Sequence, residues 1–201
     1  MEYELRHERH KHSLGGNVNP DPIPADILKA LSPFVSTDTT RPSMCHILRF
    51  AGYYWATDGH TSARFRFSDV TDTVRLLTAD GGKSWITDGD GRCLYPSIEQ
   101  VWAPPLSPLR KPTGPWSFDP IYLARLVEIE KCIVRCMQAA IKAESRYQDK
   151  LTKYLKKELQ DRLRGCARDA CHIMFLGGEL DPVLFDYGPC RWQVLIMPRK
   201  A

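Results

Sequence analysis

Tyr53-Tyr54-Trp55-Ala56-Thr57 and Thr61-Ser62-Ala63-Arg64-Phe65-Arg66-Phe67 flank the tripeptide Asp58-Gly59-His60. Both flanks are rich in aromatic residues and Thr, as strands are, and the second alternates apolar and basic side chains. Between them, Asp closes side-chain-to-backbone bonds and Gly accepts positive φ without steric cost. The stretch therefore reads as two antiparallel strands joined by a tight turn. It sets the fold class as one with an antiparallel sheet.

Working outward, Pro24-Ala25-Asp26-Ile27-Leu28-Lys29-Ala30-Leu31 places Ile27, Leu28 and Leu31 on one face of a short helix bounded by Pro33. A strand from Met44 to Phe50, turned by Ala51-Gly52, completes a helix followed by a three-strand meander. Thr73 to Leu77 and Lys83 to Thr87 flank Asp80-Gly81-Gly82 as a further pair. Pro104, Pro105, Pro108, Pro112 and Pro115 make the next segment an extended connection.

From Ile121 to Arg164 there is neither Gly nor Pro, and Leu123, Leu126, Ile133, Met137, Ile141, Leu151, Leu155 and Leu159 recur at helical spacing. A continuous helix from 120 to 164, at about 1.5 Å per residue, would extend about 65 Å, more than the width of a small domain. It projects, folds back near Glu144 to Tyr147, or pairs with another chain. Cys171 to Leu176, Val183 to Asp186 and Arg191 to Met197 then read as three strands. The chain thus holds two copies of one helix-then-meander unit, and the fold class is α+β with antiparallel sheets and an elongated helix or helical hairpin. Residues 1–22, polar and rich in His, Gly, Asn and Pro, are expected to form a mobile tail. Residues 23–201 are expected to form a single domain with the helical insertion at about 120–168.

The 201 residues carry 28 Lys plus Arg against 24 Asp plus Glu, a net charge of +4 that permits nucleic-acid contact without requiring it. Between Arg125 and Arg168 stand twelve Lys or Arg against six Asp or Glu, so the surplus is concentrated on the helical insertion. No apolar run reaches the roughly 18 residues of a membrane span, and the charged start is unlike a secretory signal. The seven cysteines are scattered without paired metal-ligand spacing, so a reduced, cytoplasmic protein is expected. Cys132 and Cys136, one helical turn apart, read as small apolar residues on a helix face. His7, His10 and His12 lack a scaffold, and Asp88-Gly89-Asp90-Gly91 lacks the acidic residue that closes a calcium loop, since Ile98 stands there. No metal or cofactor is expected.

His60 beside Asp58 invites a general-base reading, with Cys45 or Ser62 as nucleophile. No nucleophile elbow, phosphate loop, dinucleotide fingerprint or His-Glu metal helix accompanies them, so no catalytic residue is assigned.

Arg41-Pro42, Ala56-Thr57-Asp58-Gly59-His60, Asp90-Gly91-Arg92, Tyr95-Pro96 with Val101, and Ile196-Met197-Pro198, in that order, resemble the bacterial DNA polymerase sliding clamp (beta subunit) family. Pro24-Ala25-Asp26-Ile27-Leu28 resembles the family's helix-opening segment. The resemblance spans most of residues 23–198 outside the long helix, at a length that suits a shortened, single-domain clamp-like protein. It implies a DNA-clamp-like fold and a non-enzymatic processivity factor in DNA replication. It also implies an apolar pocket for the clamp-binding motifs of replication or repair proteins, made of Thr57, Gly59, His60, Pro96, Val101, Met197 and Pro198. The same resemblance implies a homo-oligomer around duplex DNA, held sequence-independently, with Arg135, Lys142, Lys150, Lys153, Lys156 and Lys157 as phosphate contacts. A monomeric adaptor or decoy that keeps the pocket and does not encircle DNA is the alternative. The chain departs from the family pattern after His60, where Thr61 and Ser62 replace Arg and Leu, and at Gln100, which replaces a basic residue.

Overall fold

A computed structural model of the chain describes residues 21–69, 74–87, 95, 96, 102, 117–144, 157, 161–165, 167, 169, 171–175 and 182–197. Side chains at 141–144, 175 and 189 are not included in the description. The elements are α1 (Ala25–Leu31), β1 (Leu48–Phe50), β2 (Tyr53–Thr57), β3 (Thr61–Arg66), β4 (Leu76–Ala79), β5 (Ser84–Thr87), α2 (Pro120–Glu144), β6 (His172–Phe175), β7 (Val183–Tyr187) and β8 (Trp192–Ile196). Residues 161–165 are also helical. The class is α+β, as expected.

All eight strands form one antiparallel sheet in the order β5-β4-β1-β2-β3-β8-β7-β6. The meanders β1-β2-β3 and β6-β7-β8 are each preceded by a helix, and they meet where β3 pairs with β8. The repeat legible in the sequence is therefore a real division of the sheet. The β4-β5 hairpin extends one side beyond β1.

Alternation along each strand divides the side chains between two cores. Tyr54, Ala56, Ala63, Val183, Phe185, Tyr187, Trp192, Val194 and Ile196 enter the larger core, with Ile27, Ala30 and Leu31 of α1 and Ile129, Cys132 and Ile133 of α2. Leu48, Trp55, Leu77 and Tyr95 form a second core, with Phe50, Tyr53 and Trp102 packed against it. At the junction, Ala63 pairs with Ala56 on one side and Val194 on the other. Both alanines are fully buried, which leaves room for the helices above them.

Three expectations are corrected. Met44 does not open a strand: Pro42–Cys45 forms a 3-10 turn, with Pro42 at its start, and β1 begins only at Leu48. The β4 strand runs to Ala79 rather than ending at Leu77. On α2 the inward stripe is Leu126, Ile129, Ile133 and Met137, whereas Leu123 is exposed. Asp119 accepts a hydrogen bond from the Ile121 amide (3.0 Å) just before Pro120, which starts the helix there.

The long-helix alternatives are narrowed by the core. Leu163 and Ala167 share the larger core with Ile129 and Ile133. A straight helix would carry Leu163 about 50 Å from Ile129 at about 1.5 Å per residue. Leu163 therefore lies far nearer Ile129 than a continuous straight helix would place it. The calcium-like stretch at Asp88 to Gly91 and the histidines of the first twenty residues lie outside the described residues. Among the described residues no cluster of three His, Cys, Asp or Glu is placed to hold a metal, and no helix is long and apolar enough to cross a membrane. Cys132 is buried and Cys136 exposed, both as free thiols.

Close seating of the helices on the junction has a measurable consequence. Ala63→Leu is expected to lower the urea midpoint, at unchanged slope, by an amount equivalent to about 1–3 kcal/mol, because an overpacked core must shift its neighbours.

Candidate functional site

At the junction of the two halves, the end of β2, the start of β3 and the end of β8 come together. The Thr57 hydroxyl donates to the Thr61 carbonyl (2.8 Å) and accepts from the Gly59 amide (3.1 Å). Asp58 Oδ1 accepts from the amides of His60 (2.9 Å) and Thr61 (2.8 Å) and from the Thr61 hydroxyl (3.2 Å). The Met197 amide donates to the His60 carbonyl (3.0 Å), which carries the β3-β8 pairing one step into the turn. Gly59 has φ of +91°, and a Cβ there would stand 3.3 Å from both Arg41 Nη1 and Met44 Cε. The backbone angle is what favours glycine here, since the flexible ends of Arg41 and Met44 need yield only slightly to a Cβ.

This turn forms one wall of a cavity of about 340 Å3. Thr57, Gly59, His60, Thr61 and Ser62 supply the wall, and Leu195 and Met197 continue it from β8. Arg41 and Met44 enter from the 3-10 turn and its approach, and Pro182 from the start of β7. Trp55, Tyr95, Pro96 and Trp102 complete the lining. Most of these groups are apolar, and Arg41 adds a guanidinium to them. Such a lining suits bulky apolar side chains held by a few polar groups at the edge.

The aromatic side is fixed from within the protein. The Arg64 guanidinium stacks 4.1 Å from the Trp102 ring centroid, 4.6 Å from Tyr53 and 4.9 Å from Trp55. Its Nε donates to Gln193 Oε1 at 2.6 Å across the β3-β8 pair. Burial pushes the Arg64 pKa below its ordinary value, and the three rings compensate the loss of water. The Tyr95 hydroxyl donates to the Trp55 carbonyl (3.3 Å), and burial pushes its phenol up, so it remains a neutral donor.

Behind the turn stands α2. Arg125 Nη1 donates to Asp58 Oδ2 and to Thr61 Oγ1, each at 2.5 Å. The two ion-pair side chains are only 17% and 14% exposed. Burial pushes the Asp58 carboxyl up, but the Arg125 bond together with the Thr61 and His60 amides outweighs it and holds the group below its ordinary range. With Oδ1 committed to the turn and Oδ2 to Arg125, Asp58 acts as the turn's organiser. The His60 ring stacks on Tyr122 of α2, with centroids 6.1 Å apart.

Of the residues expected to form a pocket, Thr57, Gly59, His60, Pro96 and Met197 line this one cavity, while Val101 and Pro198 lie outside the described residues. Sequence reasoning missed Arg41, Met44, Trp55, Thr61, Ser62, Tyr95, Trp102, Pro182 and Leu195. Strand alternation places Trp55 with Thr57 and Leu195 with Met197, a signal that was available. Of the expected phosphate contacts, Arg135 is turned to Asp26 of α1, with Nε 2.5 Å from Oδ1. This is charge pairing without an aligned hydrogen bond, since Nε and Nη2 are buried with no hydrogen-bond partner among the described residues. Lys157 is exposed. The side chain of Lys142, and all of Lys150, Lys153 and Lys156, lie outside the described residues.

No family model matches the sequence, and no curated protein matches it. Among solved structures it is similar to the DNA polymerase sliding clamp from Bacillus subtilis, with 15% sequence identity and a TM-score of 0.39 over 98% of this chain and 68% of that chain.

Asp58→Asn is expected to destabilise the protein by about 1–3 kcal/mol at neutral pH, because it leaves the Arg125 charge without its counter-charge. A carboxyl held below its unfolded value of 3.8 contributes stability that is complete above that pH and is lost as pH falls through the lower, folded value. The difference between wild type and Asp58→Asn should therefore stay level from pH 7 to about 5 and shrink below about 4, as read by urea denaturation across that range.

Proposed function

We propose that this protein is a non-catalytic interaction module on the sliding-clamp plan, whose cavity receives extended apolar segments of replication or repair proteins. The observation that carries this reading is the single cavity lined by Thr57, Gly59, His60, Pro96 and Met197, residues drawn from three distant stretches of the chain. These stretches bear the clamp resemblance in the sequence. A rigid aromatic and Met-rich lining beside a fixed turn fits side-chain capture by a preorganised site.

Assembly belongs to the same proposal. β5 and β6 end the sheet on opposite sides, and Ile86 and Ile173 on them are 48% and 56% exposed. Pairing of β5 with β6 of another copy is a heterologous contact, which closes into a ring if the rotation permits. Exposed cations of the helical insertion would then hold duplex DNA by its phosphates. The engagement of Arg135 with Asp26 removes one of the six expected contacts and favours the second reading, a monomeric adaptor that uses the cavity without encircling DNA.

The cavity is tested with the amidated peptide acetyl-Ala-Leu-Phe by tryptophan fluorescence, since Trp55 and Trp102 line it. Wild type should bind, and Met197→Asp should lose at least about tenfold in affinity, because a carboxylate placed in an apolar site is costly. Unchanged affinity in Met197→Asp removes these residues from the site.

Light scattering separates the two assembly readings. An oligomer that Ile173→Lys converts to monomer, and that binds duplex DNA at low salt with a steep salt dependence, supports the ring. A strict monomer indifferent to DNA supports the adaptor.

A further inference from the structure

The wall of the cavity is held by a helix that does not itself line it. Tyr122 and Arg125, nearly one turn apart on α2, reach the turn from behind. The Tyr122 ring lies against His60 with an interplanar angle of 15°, and Arg125 bonds Asp58 and Thr61 while passing 5.1 Å from the Tyr122 ring centroid and 5.8 Å from that of Phe34. We propose that Arg125 and Tyr122 are positioning residues of the cavity, and that docking of the first turns of α2 and occupancy of the cavity are therefore thermodynamically coupled. The proposal rests on the peptide-binding reading and adds to it a regulatory element outside the cavity.

The turn is short of support of its own. Gly59 and His60 are exposed, and apart from Met197 the bonds that shape the turn centre on Thr57 and Asp58. Asp58 Oδ1 accepts three of them, so its orientation decides all three at once. That orientation is fixed through Oδ2, which Arg125 holds. A rigid guanidinium seated between two aromatic rings is well suited to this, since little of its freedom remains to be lost.

The same end of α2 has few other attachments. Ile121, Leu123 and Val127 are exposed there, so Tyr122, Arg125 and Leu126 carry the contact of the first two turns. Further along, Ile129, Cys132, Ile133 and Val134 are buried and anchor the helix without reference to the turn. The first turns are therefore a low-stability end, able to loosen while the rest of the helix stays docked. A ligand that requires the ordered turn favours the docked end, and by linkage anything that displaces this end weakens the ligand.

The test uses the full chain as wild type, Arg125→Met, Arg125→Lys and Tyr122→Ala. Hydrogen exchange at the His60 and Thr61 amides is measured without ligand. Binding of the amidated peptide acetyl-Ala-Leu-Phe is then measured, together with exchange over residues 122–126 with and without it. Arg125→Met is expected to speed exchange at both amides and to weaken the peptide at least about fivefold, with Arg125→Lys recovering part of each loss. In wild type the peptide should slow exchange over 122–126.

Tyr122→Ala breaks no ion pair and should keep the protein folded should Arg125→Met fail to fold. It too should weaken binding. A folded Arg125→Met or Tyr122→Ala that binds as wild type does, with exchange at His60 and Thr61 unchanged, overturns the coupling while leaving the peptide reading intact. A wild type that ignores the peptide overturns both.

Discussion

The pairing of β3 with β8 is the contact on which the molecule depends. In the register Thr61↔Ile196 through Phe65↔Trp192 it joins the two helix-and-meander halves into one sheet. It brings residues separated by most of the chain to neighbouring positions, and Met197 continues it by donating to the His60 carbonyl. A one-residue slip would exchange the faces of β8, sending Val194 and Ile196 out of the core and Leu195 and Met197 into it. Ala56, Ala63 and Val194, all fully buried beneath the helices, hold that register against slippage.

The cavity is a consequence of this pairing, sharpened by two charged side chains that face opposite ways. Arg64 on one face of β3 gathers Tyr53, Trp55 and Trp102, and Arg125 of α2 reaches Asp58 from the other side. For any buried ion the cost of desolvation offsets part of what its contacts contribute to stability. The effect of these two is directional: one fixes the aromatic wall, the other the polar turn. On the proposed reading, preorganisation of both walls would let a small apolar cavity bind a flexible segment without spending the interaction on ordering itself.

Much of this was legible in the chain, and the parts that were not have physical causes. The Thr57-Asp58-Gly59-His60 turn and the two meanders follow from local rules of turn chemistry and alternation. The convergence of Thr57, Pro96 and Met197 was readable only through the resemblance, because no periodicity reports which strands of separate units are neighbours. Trp102 gave no signal in a proline-rich segment, since its place is set by Arg64, far from it in sequence. Arg125 read as one more cation on a basic helix, and only the fold shows it buried against Asp58. Met44 looked like a strand residue because it opens a largely apolar run to Phe50, and Pro42 overrode that pattern. Where the clamp pattern has Arg after His60, this chain has Thr61, and the hydroxyl there accepts from Arg125.

The methionines offer the most direct check that these distant stretches form one binding cavity. Of five in the chain, Met44 and Met197 line it, while Met137 lies on α2 and Met174 on the edge strand β6. In a methyl NMR titration with an apolar peptide, the Met44 and Met197 signals should move together along one binding curve while Met137 and Met174 stay in place. Movement of Met137 or Met174 with Met44 and Met197 unmoved would contradict the account.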